Sequence, residues 1–402
     1  MQKKKWRLSS DTITDIIFVL FVIARVTFRV IVGYGYLFTY FRYTFFIVIL
    51  LQLYFSKSIK MNDFMKWSAL FIGVAFGISL VAGHRDNSLD MISRLSGVIL
   101  EALLVSLYCY TKRKTNLFFI AFFLSGIVIF AFQFTQLSVQ TILNTNARYL
   151  TGLRISMTEN EQFNITAYNL FIALLSGVYL LKYKIIDRIL CLSGLAVISL
   201  GSVMTGSRKT FIVGVLMIAV MFMGGKRKFL KIALIGITAY VLFTLLMQNA
   251  VFYNLLGWRL ASVGEEDVST ENRLTFALDA IWVGFDSIIG VGLDNYRFYN
   301  ARGLYAHNNF AELFADLNLL GLVAFYWLHI KTLITFIKNK SDEYATFWIA
   351  CIISLMLVDI GQVSYSLFTY LSMISMFPLA VYELRQRNHL QQIENEKLGN
   401  DN

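Results

Sequence analysis

Charged residues and proline are scarce in this chain of 402 residues. Only 15% of the residues are charged, and a single proline, Pro378, is present. A soluble domain carries roughly a quarter charged residues, so the composition excludes a soluble enzyme and a disordered protein. The apolar residues form long runs without alternation, which also argues against an outer-membrane β-barrel. Because proline interrupts almost none of these runs, they predict long helices.

Cysteine is also rare, and the usual signatures of metal and nucleotide sites are missing. Cys109, Cys191 and Cys351 each lie inside an apolar run, which predicts buried thiols and no disulfide framework. The segments of the predicted outer face lack metal-binding spacing, and no GxxxxGK[ST] phosphate loop occurs in the chain. We therefore expect neither a metal nor a nucleotide cofactor. The net charge of +11 is divided among short clusters between apolar runs, so a soluble nucleic-acid-binding protein is excluded.

The sequence is rich in apolar runs that are long enough to span a membrane. Apolar residues make up 57% of the chain, whereas a spanning helix needs about twenty of them in a row. About twelve such runs occur, near 12–32, 37–55, 66–83, 91–110, 116–136, 164–181, 187–205, 210–225, 229–251, 309–330, 345–361 and 363–383. The sequence therefore predicts an all-α polytopic membrane protein with about 12 transmembrane helices, forming one integral membrane domain over residues 1–402.

The basic residues between the runs predict the orientation. When the N-terminus is placed in the cytoplasm and the runs alternate, every cytoplasmic segment carries at least three lysines or arginines. This distribution follows the positive-inside rule. Both termini are therefore expected in the cytoplasm, with residues 384–402 as a polar tail.

The predicted outer face carries arginine in place of lysine. Nine of its ten basic residues are arginines: Arg85, Arg94, Arg148, Arg154, Arg208, Arg259, Arg273, Arg297 and Arg302, with Lys209 as the tenth. The planar guanidinium binds phosphate or carboxylate through two parallel hydrogen bonds. The alternative is ordinary surface charge, balanced by acidic residues on the same face.

Two connections on this face are long, at 137–163 and 252–308. Loops of this length beside a helical membrane domain are usually functional. The second loop contains the pattern of a short amphipathic helix, capped by Ser269 or Thr270, that would lie on the membrane surface or against the helix bundle. Its apolar stripe consists of Leu274, Leu278, Ile281, Trp282 and Phe285.

His307 is the main candidate for chemistry. It lies at the outer start of the tenth apolar run, and a neutral imidazole can accept a proton from a hydroxyl near pH 7. A lone histidine at a helix start is more often a cap or a packing residue. Two other features strengthen the case for His307 as a catalytic residue. Gly290 and Gly292 form a flexible turn upstream of it. The turn at 205–210 presents Arg208 at a helix start, where an anion is favoured.

Four groups of residues resemble motifs of the O-antigen ligase and Wzy polymerase superfamily of bacterial envelope glycosyltransferases. They are Arg154 with Asn164; the turn Thr205-Gly206-Ser207-Arg208; Asn272-Arg273 followed by Trp282, Gly290 and Gly292; and Ala306-His307-Asn308 with Glu312 and Gly321. Each motif is degenerate, and the resemblance rests on their joint order, spacing and shared placement on the outer face. Lys209 departs from the family pattern, in which a small residue is common.

The resemblance implies a GT-C-like membrane fold that transfers an oligosaccharide from undecaprenyl diphosphate at the outer face of the bacterial cytoplasmic membrane. By this analogy, His307 deprotonates or orients the acceptor hydroxyl, and Arg208 and Arg273 hold and neutralise the diphosphate. The implied substrate-binding residues are Arg154, Asn164, Lys209, Asn308 and Glu312. Because Glu312 lies about 140° around a helix from His307, it is expected to contact the acceptor sugar or to cap a loop.

The expected function is that of a polysaccharide polymerase that joins lipid-linked repeat units into a capsule, exopolysaccharide or O-antigen chain. A ligase that moves the finished glycan to another acceptor uses the same chemistry and remains open. A transporter of the lipid-linked unit is the third alternative, although the sequence shows no internal repeat. The expected partners are the lipid bilayer, undecaprenyl-diphosphate-linked oligosaccharide, a flippase and a chain-length regulator, and no nucleic acid.

Overall fold

The computed structural model describes residues 10–27, 35–56, 61–136, 163–205, 207, 268–340 and 342–400, with six single residues between 237 and 253. Within these residues every regular element is helical and no strand occurs, which confirms the all-α class. The helices are α1 (Ser10–Val26), α2 (Gly35–Ser56), α3 (Asp63–Ser79), α4 (Arg85–Lys112), α5 (Thr115–Gln136), α6 (Phe163–Lys182), α7 (Arg188–Met204), α8 (Val268–Asp286), α9 (Asn309–Ile337), α10 (Glu343–Asp359), α11 (Phe368–Ser375) and α12 (Phe377–Asn400). A 3₁₀ turn, Tyr296–Phe298, lies between α8 and α9.

Five of the described helices, α2, α4, α5, α6 and α9, are long and apolar enough to contain a membrane span. This agrees with a helical membrane protein. The predicted runs 210–225 and 229–251 lie outside the described residues. The predicted run 363–383 contains a helix boundary, since α11 ends at Ser375 and α12 begins at Phe377. Most of the predicted tail, 384–402, belongs to α12, which continues to Asn400.

The chain forms two compact units. The first contains α1, α2, the end of α4, α5, α6 and α7, and the second contains α3, most of α4 and α8 to α12. In the first unit, α5 packs closely on α6 and α7: a Cβ atom added at Gly194 would lie 2.3 Å from the ring of Phe123. The Lys114 ammonium pairs there with the Asp15 carboxylate at 2.6 Å. In the second unit, the Trp67 indole N–H of α3 donates to the Phe325 carbonyl oxygen of α9 at 2.8 Å.

Helix α9 is interrupted at Asn318, whose backbone has φ 55° and ψ −163°. The rings of Phe310 and Tyr326 stack with their centroids 4.4 Å apart. In a straight helix, their positions would be about 24 Å apart along the axis. The first part of the helix, α9a (309–317), is therefore folded back along the second part, α9b (319–337). The tenth apolar run, predicted as one continuous span from residue 309, is two helical segments.

The side chain of Asn318 bonds to backbone groups at the end of α8 and at the start of α9b. Its Nδ2 donates to the carbonyl oxygens of Gly284 and Ser287, both at 2.8 Å, at the end of α8. Its Oδ1 accepts the N–H of Leu319 at 2.6 Å, at the start of α9b. Asparagine adopts a positive φ more readily than most residues because its short side chain bonds to nearby backbone. One residue thus ends α8 and starts α9b.

Carbonyl oxygens at the end of α9a accept hydrogen bonds from the preceding loop. Val291 N–H donates to the Ala315 oxygen at 3.1 Å, and Gly292 N–H donates to the Asp316 oxygen at 2.8 Å. Gly290 has φ +102°, and a Cβ atom there would lie 2.4 Å from the same Asp316 oxygen. Glycine at 290 therefore meets two requirements, a positive φ and a close backbone approach.

Helix α8 packs beside α9a through small residues. Ala277 and Ala280 share a buried cluster with Ala311 and Ala315. Such residues let two helix backbones approach closely. The large apolar residues of the predicted stripe mostly point elsewhere: Leu274, Leu278, Trp282 and Phe285 are exposed, whereas Ile281 is partly buried. The helix begins at Val268, so the predicted caps Ser269 and Thr270 lie within its first turn.

Gly290→Ala is expected to lower the free energy of unfolding by about 2 kcal/mol or more, because it adds both backbone strain and a steric clash. Thermal unfolding of the purified protein in detergent measures this. Gly303→Ala is the matched control, since Gly303 also has a positive φ, +66°, but open space around it. If both variants lose the same free energy of unfolding, the close backbone approach at Gly290 does not add to the effect of the positive φ.

Candidate functional site

His307 precedes the cap of α9 and has a backbone φ of 55°. Asn308 is the N-cap residue: its Oδ1 accepts the N–H groups of Phe310 at 2.9 Å and Ala311 at 3.0 Å. Such a cap satisfies two of the unpaired donors of the first turn. The cap fixes the backbone next to His307, so Asn308, which the resemblance implies in substrate binding, has a structural contact here.

Aromatic side chains from α8 and from the preceding loop surround His307. The ring of Tyr305 lies 4.0 Å from the imidazole, centroid to centroid, and that of Phe276 lies 6.2 Å away. The Arg302 guanidinium carbon lies 5.4 Å from the centroid of the Phe276 ring. Arg302 Nη1 also donates to Asn272 Oδ1 at 2.6 Å. A guanidinium is thus held at the edge of the aromatic wall around the imidazole.

Arg273 on α8 supplies the second cation of this group. Burial raises the pKa of Tyr305, and the positive charge of Arg273 opposes that rise. Tyr305 is therefore a neutral phenol near pH 7 and can donate a hydrogen bond. His307 and Arg273 are partly exposed and Arg302 is exposed, so a ligand can reach them. We call Arg273, Phe276, Arg302, Tyr305 and His307 the His307 cluster.

The carboxylate of Glu312 shapes the turn that leads into His307. Its side chain is only 1% exposed, and its Oε2 accepts the N–H of Ala306 at 2.5 Å. This contact favours the loop-capping role for Glu312 over contact with an acceptor sugar, the two roles that the sequence left open.

Asp316 organises the rest of the loop. It is fully buried, and its carboxylate accepts the N–H groups of Asp294 at 2.6 Å, Asn295 at 3.2 Å and Tyr296 at 2.9 Å. The Tyr296 hydroxyl then donates to the Phe276 carbonyl oxygen at 2.9 Å, which ties the same loop to α8. The loop is therefore fixed to both α9a and α8. Nothing in the sequence pattern points to Asp316, because a carboxylate that binds distant backbone N–H groups has no local motif.

Arg297, one of the outer arginines, holds this loop to α4. Its Nη2 donates to Asp294 Oδ2 at 2.7 Å and to Asn87 Oδ1 at 2.8 Å. Burial raises the pKa of Asp294, while the charges of Arg297 and Arg94 oppose that rise. These contacts favour a structural role for Arg297.

Four of the predicted site residues lie together in this region: Arg273, His307, Asn308 and Glu312. Asn164 is the second residue of α6 and belongs to the other unit. The remaining three, Arg154, Arg208 and Lys209, lie outside the described residues.

Arg302 and Tyr305 belong to the His307 cluster, although the sequence pattern alone does not assign them to the site. Both precede His307 within five residues, which is the signal that was available in the sequence. In the sequence, Arg302 stands out only as one of the outer arginines. Its contact with the Phe276 ring required the tertiary structure, because the two residues come from different elements.

Among the residues that the structure describes, no group of three or more His, Cys, Asp and Glu side chains is arranged to hold a metal ion. A comparison of the chain with protein-family models gives no match, and a comparison with curated proteins gives none. The His307 cluster itself is therefore the basis for a proposed function.

Glu312→Ala is expected to lower the free energy of unfolding by about 1–3 kcal/mol, because the buried Ala306 N–H loses its acceptor. Glu312→Gln retains an oxygen acceptor and is expected to lose less. Thermal unfolding of both variants, alongside a glycan-transfer assay, separates the two roles. A Glu312→Gln variant that is as stable as the parent but inactive would show that the carboxyl group acts on substrate.

Proposed function

We propose that this protein is a polysaccharide polymerase that joins oligosaccharide repeat units carried on a lipid diphosphate. One observation carries the proposal: His307 lies with Arg273 and Arg302 at one end of α8, whose outward stripe is apolar. A base, two guanidinium groups and an apolar surface match a substrate with an acceptor hydroxyl, a diphosphate and a long hydrocarbon chain.

The proposed reaction is a displacement at the anomeric carbon of the donor sugar. His307 accepts the proton of the acceptor hydroxyl while its oxygen forms the new glycosidic bond. The bond from the anomeric carbon to the diphosphate oxygen breaks, and the lipid diphosphate leaves with the electron pair. Arg273 and Arg302 stabilise the negative charge that develops on the leaving group, and the Tyr305 hydroxyl can donate a hydrogen bond to it.

The apolar stripe of α8 fits the hydrocarbon part of such a donor. Leu278 and Trp282 are 48% and 66% exposed. The stripe runs from Leu274, beside Arg273, to Phe285, about 17 Å along the helix axis. An anionic group bound at Arg273 would thus have an apolar path leading away from it. The same face would also lie stably in the surface layer of a bilayer.

The proposal also covers the fold, the membrane topology, the location and the partners of the protein. It comprises a GT-C-like fold with about 12 membrane spans, both termini in the cytoplasm, and reaction at the outer face of the bacterial cytoplasmic membrane. The donor is undecaprenyl-diphosphate-linked oligosaccharide, and a flippase and a chain-length regulator are the protein partners. Arg208 is a further diphosphate-binding residue, and Arg154, Asn164 and Lys209 contribute to substrate binding. The support is the distribution of charge in the sequence and the motifs shared with the O-antigen ligase and polymerase superfamily.

Two other functions remain as alternatives. A ligase differs from a polymerase only in its acceptor, and the His307 cluster suits both. A transporter of the lipid-linked unit is favoured by one observation, the interruption of α9 at Asn318, because broken helices are common at transporter binding sites. The partly exposed imidazole beside two guanidinium groups favours transfer chemistry over transport.

His307→Ala is expected to abolish polymer formation, because the acceptor hydroxyl loses its base. The assay uses purified protein in lipid with undecaprenyl-diphosphate-linked repeat units from its own host, and the products are separated on a gel. The parent is expected to give a ladder spaced by one repeat. His389→Ala, which changes an exposed histidine of α12, is the matched control and should keep the ladder.

Three other outcomes would each count against the proposal. A ladder of normal length from His307→Ala would contradict the role of His307 as base. Transfer only after addition of lipid A or a wall acceptor would identify a ligase. Movement of the intact lipid-linked unit across the bilayer without glycan transfer would identify a transporter.

Arg273→Lys and Arg302→Lys are each expected to lower kcat/KM by about tenfold or more, because lysine keeps the charge but loses the bidentate geometry. Arg94→Lys is the matched control, since Arg94 is an exposed arginine paired with Asp90 at 2.5 Å. Initial rates at several donor concentrations measure the effect. Full activity in all three variants would rule out bidentate phosphate binding at this site.

A further inference from the structure

A second polar cluster lies in the buried interior of the second unit, around Asp359 at the end of α10. This residue is fully buried. Its Oδ2 accepts hydrogen bonds from the hydroxyls of Tyr326 and Tyr370, both at 2.8 Å, and its Oδ1 accepts one from the Ser364 hydroxyl. Three hydroxyl groups from three different segments thus converge on one carboxylate.

Asn309 connects this cluster to the start of α9a. It is fully buried, and its Nδ2 donates to the Tyr326 hydroxyl at 2.9 Å. Its Oδ1 accepts the N–H groups of Ser364 at 2.9 Å and Tyr365 at 3.1 Å. Asn309 stands two residues after His307, so the cluster holds the chain directly beside the proposed base.

The two tyrosine hydroxyls of the cluster have different second partners. Tyr326 accepts from Asn309 and donates to Asp359. Tyr370 donates to Asp359, and its oxygen lies 2.8 Å from the His329 Nε2 atom. The Tyr326 hydroxyl therefore links the carboxylate to Asn309 in α9a, whereas the Tyr370 hydroxyl lies between the carboxylate and His329 in α9b.

The folded-back position of α9a depends on contacts at both of its ends. A segment of nine residues is too short to be stable as an isolated helix in water. The Asn318 hydrogen bonds hold one end, and the Asn309–Tyr326–Asp359 chain holds the other. Loss of the Tyr326 hydroxyl would leave the buried Asn309 amide without this acceptor, which is a strong driving force for rearrangement.

We propose that Tyr326 and Asp359 are positioning residues that place His307 by holding α9a against α9b. The proposal rests on the proposed function of His307 as the base. The two residues act through Asn309 and need not touch the substrate.

Tyr326→Phe and Tyr370→Phe form a matched pair, because each removes one hydroxyl that donates to Asp359 Oδ2 while only the first bonds to Asn309. Tyr326→Phe is expected to lower kcat by about tenfold or more with little change in KM, since displacement of a catalytic group by about 1 Å can cost 100-fold in rate. Tyr370→Phe is expected to stay within about threefold of the parent, because the chain to Asn309 survives.

A distance measurement tests the same idea without activity. Spin labels are placed at Leu304 and Val323, both exposed, in a full-length background with Cys109, Cys191 and Cys351 replaced by alanine. Pulsed electron paramagnetic resonance in lipid nanodiscs is expected to give a narrow distance distribution for the background and for Tyr370→Phe. Tyr326→Phe is expected to shift or broaden it. Size-exclusion chromatography confirms that each variant is folded.

The two arms separate the possible failures. Equal effects of Tyr326→Phe and Tyr370→Phe on both kcat and the distance distribution would overturn the positioning role. An unchanged distance distribution in Tyr326→Phe would also overturn it. If the parent makes no polymer, the proposed function fails, whereas the distance arm still decides whether Tyr326 holds α9a in place.

Discussion

The interruption of α9 at Asn318 is the constraint on which the candidate site depends. It turns one long apolar helix into two segments and brings the Phe310 and Tyr326 rings together. It also leaves carbonyl oxygens at the end of α9a that bind the loop from Gly290 onward. Because the same loop later reaches His307, the position of the proposed base follows from the interruption.

Buried polar side chains hold this arrangement, and each has a specific backbone or hydroxyl partner. Glu312 binds the Ala306 N–H, Asp316 binds three consecutive backbone N–H groups, and Asn309 binds two more. An unpaired polar group is far more destabilising when it is buried in apolar surroundings than when it is exposed to water. The region therefore has few alternative arrangements of comparable energy, which suits a site that must hold a base and two cations in fixed geometry.

The proposed chemistry follows from the neighbours of one histidine. His307 has an aromatic wall from Phe276 and Tyr305, and the guanidinium groups of Arg273 and Arg302 lie in the same region. These groups can accept one proton and neutralise a leaving anion. The apolar stripe of α8 adds a surface for a hydrocarbon chain. The histidine, the two guanidinium groups and the apolar stripe together suit a lipid-diphosphate-linked sugar.

The sequence by itself determined the helical membrane class, because runs of apolar residues long enough to cross a bilayer dominate its composition. It also pointed to His307, at the outer start of an apolar run, and, through the motif resemblance, to Arg273. Only the tertiary structure decided that residues 309–317 fold back, because the mean hydropathy of a run is the same whether the helix is straight or interrupted. The capping contacts of Asn308 and Glu312 and the place of Arg302 beside Phe276 also needed the folded chain. Such contacts depend on how loops and helices meet in space, which residue spacing along the chain does not encode.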